Sequence, residues 1–218
     1  MPSESVQDYL KAIWKLENQS RATTSGLATE LAVTPASSTA MVKKLAEMGL
    51  VEHERYREIR LTPSGERAAL EVVRHHRLLE LYLMQALGLG WDQVHAEAER
   101  LEHYLSEELE RRIDAALGYP THDPHGDPIP TAELVLVPEE GRWLSEVADG
   151  SEAVVRRVPD GDPELLRYLA SLGIVPDQAI VLVGRAPFEG PVTVEVDGSR
   201  HAIGLALAGR IEVTGAAA

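Results

Sequence analysis

Residues 34–49, TPASSTAMVKKLAEMG, decide the fold together with residues 50–62, LVEHERYREIRLT. Thr34 stands where a helix cap belongs, Pro35 at the first helical position and Gly49 just past the end. That order starts and stops a helix. Met41, Val42, Leu45 and Met48 recur at helical spacing and leave Ser37, Ser38 and Lys44 for an outer face. Residues 50–62 read as a two-stranded ribbon with a turn near residues 55–57. Upstream, Val6, Tyr9, Leu10, Ile13, Trp14 and Leu16 predict a helix over residues 4–18, and Thr23 or Thr24 can cap a short second one. Helix, helix, helix, hairpin is a winged helix-turn-helix.

Working outward, TPSGE at residues 62–66 opens a long helix to about residue 87. Ala69, Val72, Val73, Leu78, Leu79, Leu81, Tyr82 and Leu83 cover more than one of its faces, so it must lie buried between partners. Helices over residues 92–106 and 106–117 would complete a helical domain suited to dimerisation. GYPTHDPHGDPIP, residues 118–130, begins a proline-rich stretch that is either a linker or an ordered loop. The period then drops to two: residues 179–183, 192–196 and 201–205 read as strands, with Asp197-Gly198 as a turn. A short helix is expected over residues 163–172. The predicted fold is mainly α with small β parts. Its domains are a DNA-binding winged helix (1–65), a helical metal-binding and dimerisation domain with the proline-rich loop (66–143), and a small barrel (144–218).

The 218 residues are 44% apolar and 26% charged, ordinary for a globular chain. No apolar run approaches the ~18 residues of a membrane span. MPSESVQDYL at the start lacks the basic-then-apolar order of a secretory signal, and cysteine is absent. The expectation is a cytoplasmic protein with no membrane partner, without disulfides or thiolate ligands. A net charge of −14 opposes nucleic-acid binding unless basic groups share one surface. Residues 35–46 carry Lys43 and Lys44 and no acid, and Arg55, Arg57 and Arg60 follow. The acids crowd residues 97–114, where divalent cations would offset them.

VHAEAERLEHYL, residues 94–105, holds His95, Glu99, Glu102 and His103 at i, i+4, i+7 and i+8. If helical, the segment projects all four from one face. Two imidazoles and two carboxylates suit a divalent transition metal. The bland reading is a solvated face bordering Ala98, Leu101 and Leu105. Asp8, His76 and Glu80 lie elsewhere as partners. Asp8 could instead complement the positive end of the first helix, and His76 with Glu80 could be a hydrogen-bonded i, i+4 pair. His75 points about 100° away from His76 and is set aside. His122 and His125 read as hydrogen-bonding groups of the loop.

These features, in this order and spacing, resemble the diphtheria toxin repressor family of metal-dependent transcriptional regulators over nearly the whole chain. The winged helix, residues 76–80, residues 94–103, the HGDPIP loop at 125–130 and the terminal barrel carry the resemblance. It implies a homodimer binding palindromic operator DNA, a repressor of metal uptake genes, with Mn(II) or Fe(II) as co-repressor and an SH3-like, FeoA-like terminal domain. It places a primary metal site on Asp8, Glu99, Glu102 and His103. An ancillary site falls on His76, Glu80 and His95, with Asp160 and Glu164 as barrel ligands. Acids at Asp8 and Glu99, where iron-responsive members typically have sulfur, point to the manganese-responsive type. Lys11 departs from that type, which commonly has a bridging acid there.

For DNA, Lys43 and Lys44 are the phosphate candidates. Ser37, Ser38 and Thr39, with Thr34 and Pro35 at the helix start, face base edges, and Arg57 marks the wing tip. Two rivals stand beside this reading. One keeps the winged helix but takes an organic effector. The other is a helical carboxylate metalloenzyme, which fits poorly: Arg100 stands three before His103 and the H-E-x-x-H pattern is missing. No enzyme activity is expected.

Overall fold

The computed structural model describes residues 3–53 and 58–215. Three helices open the chain: α1 (Glu4–Gln19), α2 (Thr24–Glu30) and α3 (Pro35–Glu47). The side chain of Thr23 accepts from Gly26 N–H at 3.0 Å, and Thr34 accepts from Ser37 N–H at 3.2 Å. Each cap satisfies a donor that the first turn leaves open. Strands β1 (Val51–His53) and β2 (Ile59–Leu61) pair antiparallel. The expected turn, with Arg57, lies outside the described residues. Leu10, Ile13, Leu27, Val42, Leu45 and Ile59 form one closed core, and Ala69 of the next helix completes it.

That next helix, α4 (Pro63–Leu87), joins two domains. Thr62 caps it and Gly88, at φ 73°, ends it in the left-handed region glycine favours. Its first turns pack on the winged helix, while Leu78 and Leu79 enter a second core with Ala98, Leu105, Ile113 and Ile129. The apolar coverage of several faces is explained by these two sets of partners.

The single helix expected over residues 92–106 is broken. α5 (Val94–Leu101) tightens into a 3-10 turn over Glu102–Tyr104. Leu105 is extended (φ −72°, ψ 121°) and buried, and Ser106 caps α6 (Glu107–Ala116). Burying Leu105 and starting a new helix at Ser106 together outweigh continuation of α5.

The proline-rich stretch is an ordered loop. Ile129 N–H donates to Thr121 O, and Asp123 Oδ1 accepts from the N–H groups of His125 and Asp127. Arg74 and Arg77 of α4 donate to the carbonyls of Pro130 and Pro128 at 2.6 and 2.5 Å. On its far side the loop docks on the terminal sheet, where Val158 N–H meets His125 O at 3.0 Å.

That sheet is antiparallel and six-stranded, in the order β3 (Arg142–Trp143), β8 (Glu212–Gly215), β4 (Glu152–Arg157), β5 (Ala179–Arg185), β6 (Val192–Val196), β7 (Ser199–Ile203). Its core includes Leu144, Val155, Leu182, Val194 and Val213, closed by Leu166 and Leu169 of α7 (Pro163–Ser171). β7 begins two residues earlier than residue 201, directly after the Asp197-Gly198 turn, where both residues have positive φ. The short α8 (Leu205–Ala208) follows it. Among the described residues no helix is long and apolar enough to cross a membrane.

Gly126 sits at φ 90°, and a Cβ there would lie 1.9 Å from Arg156 O. Gly126→Ala is therefore expected to destabilise the protein by about 2–4 kcal/mol, from backbone strain plus the forced separation of loop and sheet. Urea unfolding measures it. A loss below about 1 kcal/mol would mean the loop does not need this close approach.

Candidate metal centres

Among the described residues, four groups of three ligand-type side chains bring one ligand atom each within 4.8 Å of one another. The first is His76, Glu80 and His95. His76 Nε2 lies 2.9 Å from Glu80 Oε1 and 3.1 Å from His95 Nδ1, and His95 Nδ1 is 3.0 Å from Glu80 Oε1. One turn of α4 aligns His76 with Glu80, and the start of α5 brings His95 across. Burial and Lys11 both oppose a charge on His76, yet Glu80 and Glu102 outweigh them and push it up to about 9. Burial alone would lift the Glu80 carboxyl, but His76 holds it well below the usual range. Asp160, before α7, comes within 3.7 Å of His95 Nδ1. Glu164 stands apart in the exposed first turn of α7 and does not join this group.

The second group is Asp8, Glu102 and His103. Asp8 Oδ1 on α1 lies 2.9 Å from His103 Nε2, and Glu102 Oε1 lies 3.9 Å from the same nitrogen. His103 Nδ1 is 2.6 Å from Gln7 Oε1. Without an ion, Nε2–H donates to Asp8; with one bound, a proton kept on Nδ1 and donated to Gln7 would leave the Nε2 lone pair for the metal. Gln7 was not foreseen; its only signal is its place one before Asp8. Glu99 is not in this group. The four stripe residues divide among these groups: the 3-10 turn carries Glu102 inward, nearly fully buried, while Glu99 stays half exposed. Glu99 belongs with His76 and Glu102 in a third group.

The fourth group, Glu80, Asp123 and His125, is buried throughout. His125 Nδ1 is 3.7 Å from Glu80 Oε2, its Nε2 is 2.8 Å from Trp91 O, and its ring stacks on Trp91. Burial opposes protonation of His125, but Glu80 and Asp123 push it up to about 9. Burial first, then Asp127 and Glu80, hold the Asp123 carboxyl well above its ordinary value. Among the described residues, Glu80 Oε2, Asp123 Oδ2 and His125 Nδ1 have no partner at hydrogen-bond distance. Without an ion, protonated His125 faces Glu80 Oε2 and Arg77 faces Asp123 Oδ2, each at 3.7 Å; a divalent cation that displaced the His125 proton would satisfy these buried polar atoms together. The donor set therefore fits a hard divalent ion. The sequence reading gave His125 only loop hydrogen bonds, because nothing local links the loop to Glu80.

The cavity lined by Gln7, Val72, His75, Glu102 and His103 measures about 10 Å³, room for one water and not for an organic effector. His75 itself is buried, bonded to Glu102 O and Glu110 Oε2.

On α3, Pro35, Ser37, Thr39, Lys43 and Lys44 are exposed, as is Thr34 before it. Ser38 is not: it is fully buried and donates to Thr24 O at 2.9 Å. It precedes Val42 and Leu45 by four and seven residues, so it shares their inner face and cannot reach bases. Ser37 and Thr34 hydroxyls bond each other at 2.9 Å.

Three families match the chain in order. They are the iron dependent repressor N-terminal DNA binding domain (residues 1–59), the iron dependent repressor metal binding and dimerisation domain (62–131) and the FeoA domain (143–215). The iron-dependent repressor IdeR of Mycobacterium tuberculosis is 35% identical over 211 residues, 91% of each chain. The chain belongs to the diphtheria toxin repressor family. It is thus a metal-dependent transcriptional repressor by family, with a DNA-binding and a dimerisation domain. A solved manganese-dependent transcriptional repressor in complex with manganese is 43% identical, with TM-score 0.90, covering 96% of this chain and 99% of that one. The regulator MntR of Lysinibacillus sphaericus is 37% identical over 107 residues, 49% of this chain and 76% of its own.

Proposed function

We propose that this repressor is a Mn(II)-responsive homodimer that binds palindromic operator DNA in the cytoplasm and has no catalytic role. One observation carries the reading: Asp8 of the DNA-binding domain meets Glu102 and His103 of the dimerisation domain. These three would hold the ion of the primary site. His76, Glu80 and His95, with Asp160 nearby, would hold a second, and Glu80 with Asp123 and His125 offers a further place sharing the Glu80 carboxylate. Oxygen-rich sets with imidazole and no sulfur favour Mn(II), with Fe(II) next.

A bound divalent ion supplies charge that lets Asp8 and Glu102 approach without repulsion. Asp8 then ties α1 to the bundle, which sets how far apart the two α3 helices of a dimer stand. Palindromic half-sites one DNA turn apart, or a multiple, demand such a fixed spacing. Pro35, Ser37 and Thr39 would enter the groove, with Lys43 and Lys44 on phosphates. A coupling of ~1–3 kcal/mol suffices to change operator affinity ~5–150-fold.

Asp8→Ala tests this. Mn(II)-dependent operator binding in a gel shift is expected to vanish while the dimer persists in gel filtration. Metal-dependent binding equal to the parent's would overturn the reading.

A further inference from the structure

Of the four ligand groups, the third is already held by a cation that belongs to the chain. Lys11 Nζ lies 2.7 Å from Glu99 Oε1, 2.9 and 2.8 Å from the two Glu102 oxygens, and 3.1 Å from His76 Nδ1. These are the three residues whose ligand atoms converge there. An ammonium donates in up to three directions and accepts none, so it can neutralise two carboxylates as a small cation does. We propose that Lys11 is a built-in cation whose ammonium takes the place of a metal ion between His76, Glu99 and Glu102. It thereby keeps the chain one ion short of what its ligands could hold.

His76 shows why this matters. Its Nε2 faces Glu80 and His95, and its Nδ1 lies 2.5 Å from Glu102 Oε2. Ligation through Nε2 leaves the proton on Nδ1, where Glu102 accepts it and fixes the ring. An ion at the third group would demand the Nδ1 lone pair as well, stripping that proton and making His76 serve two metals. The ammonium fills the space without that demand. Lys11 also stands three residues after Asp8 on α1, on the same face. One helix therefore delivers a ligand to the primary group and a blocking charge to its neighbour. Glu102, shared by both groups, keeps one counter-charge on each side.

The inference rests on the proposed metal sites, and its test separates the two. The parent and Lys11→Met, one atom shorter and uncharged, are loaded with excess Mn(II) and desalted. Manganese per chain is then counted by mass spectrometry, and low-temperature EPR records whether any two ions are spin-coupled. Lys11→Met is expected to hold one more ion than the parent, with a coupled signal from two ions sharing Glu102. Glu99→Gln added to Lys11→Met is expected to remove the extra ion. Lys11→Gln gives the same count should the methionine variant not fold. Equal counts in parent and variants overturn the inference, as does a spin-coupled pair in the parent that needs Glu99. A parent that binds no manganese defeats the proposed function instead. In that case the role of Lys11 stands if its removal creates a site and falls if it does not.

Discussion

Glu102→Gln is expected to weaken Mn(II) binding at least a hundredfold and to destabilise the metal-free protein by about 3 kcal/mol. Glu102 is 1% exposed and belongs to two of the four ligand groups. Its carboxylate accepts from Lys11 Nζ through both oxygens and lies 2.5 Å from His76 Nδ1. The amide keeps the shape but withdraws the negative charge and turns one acceptor into a donor facing an ammonium. Buried His76 and partly buried Lys11 then lose their common partner, and breaking such an arrangement costs more than the intact one contributes. Glu99 still accepts from Lys11, which holds the loss to the lower end of the range for buried pairs. Calorimetric titration with Mn(II) and urea unfolding of the apo protein read the two effects. Affinity within threefold of the parent would remove Glu102 from the metal site.

Arg74→Met is expected to destabilise the protein by about 3–5 kcal/mol, lowering the melting temperature by about 8–15 °C. Arg74 is 4% exposed and makes three bonds in three directions. Nε donates to Glu110 Oε1 at 2.5 Å, Nη2 to Asp114 Oδ2 at 2.7 Å, and Nη1 to Pro130 O at 2.6 Å. It therefore pins α6 and the loop to α4 through one planar group. Methionine fills most of the volume but leaves two carboxylates and a carbonyl facing it, with Glu110 retaining His75. Arg74→Lys recovers little, since an ammonium cannot span the three acceptors that the guanidinium fork reaches. Arg74 touches none of the four ligand groups, so any unfolding effect should appear with manganese still bound by the folded fraction. Scanning calorimetry decides it. A melting temperature within 2 °C of the parent's, less than about 1 kcal/mol, would show that the cluster contributes no net stability.

Much of the fold was legible in residue order. Thr34, Pro35 and Gly49 bound α3 as expected, and Thr62 and Gly88 bound α4, because caps act over a few residues and need no distant partner. The candidate residues were legible too: Asp8, His76, Glu80, His95, Glu99, Glu102 and His103 all fall in groups whose polar atoms converge. The side chains misassigned were those whose environment is set across the chain. Ser38 looks outward by its polarity, yet Thr24 O lies over it. Asp123 and His125 look like loop residues until Gly126 lets the loop press against β4 and aim them at Glu80.

Local spacing thus determined the winged helix, the long central helix and the kind of metal the donors suit. Tertiary packing alone divided those donors into separate groups, through the buried Leu105 that ends α5 in a 3-10 turn. It also placed the ammonium of Lys11 among three of them. Helical periodicity reports which side chains share a face, whereas the partner across that face is chosen by burial of distant apolar surface, which no short window of sequence contains.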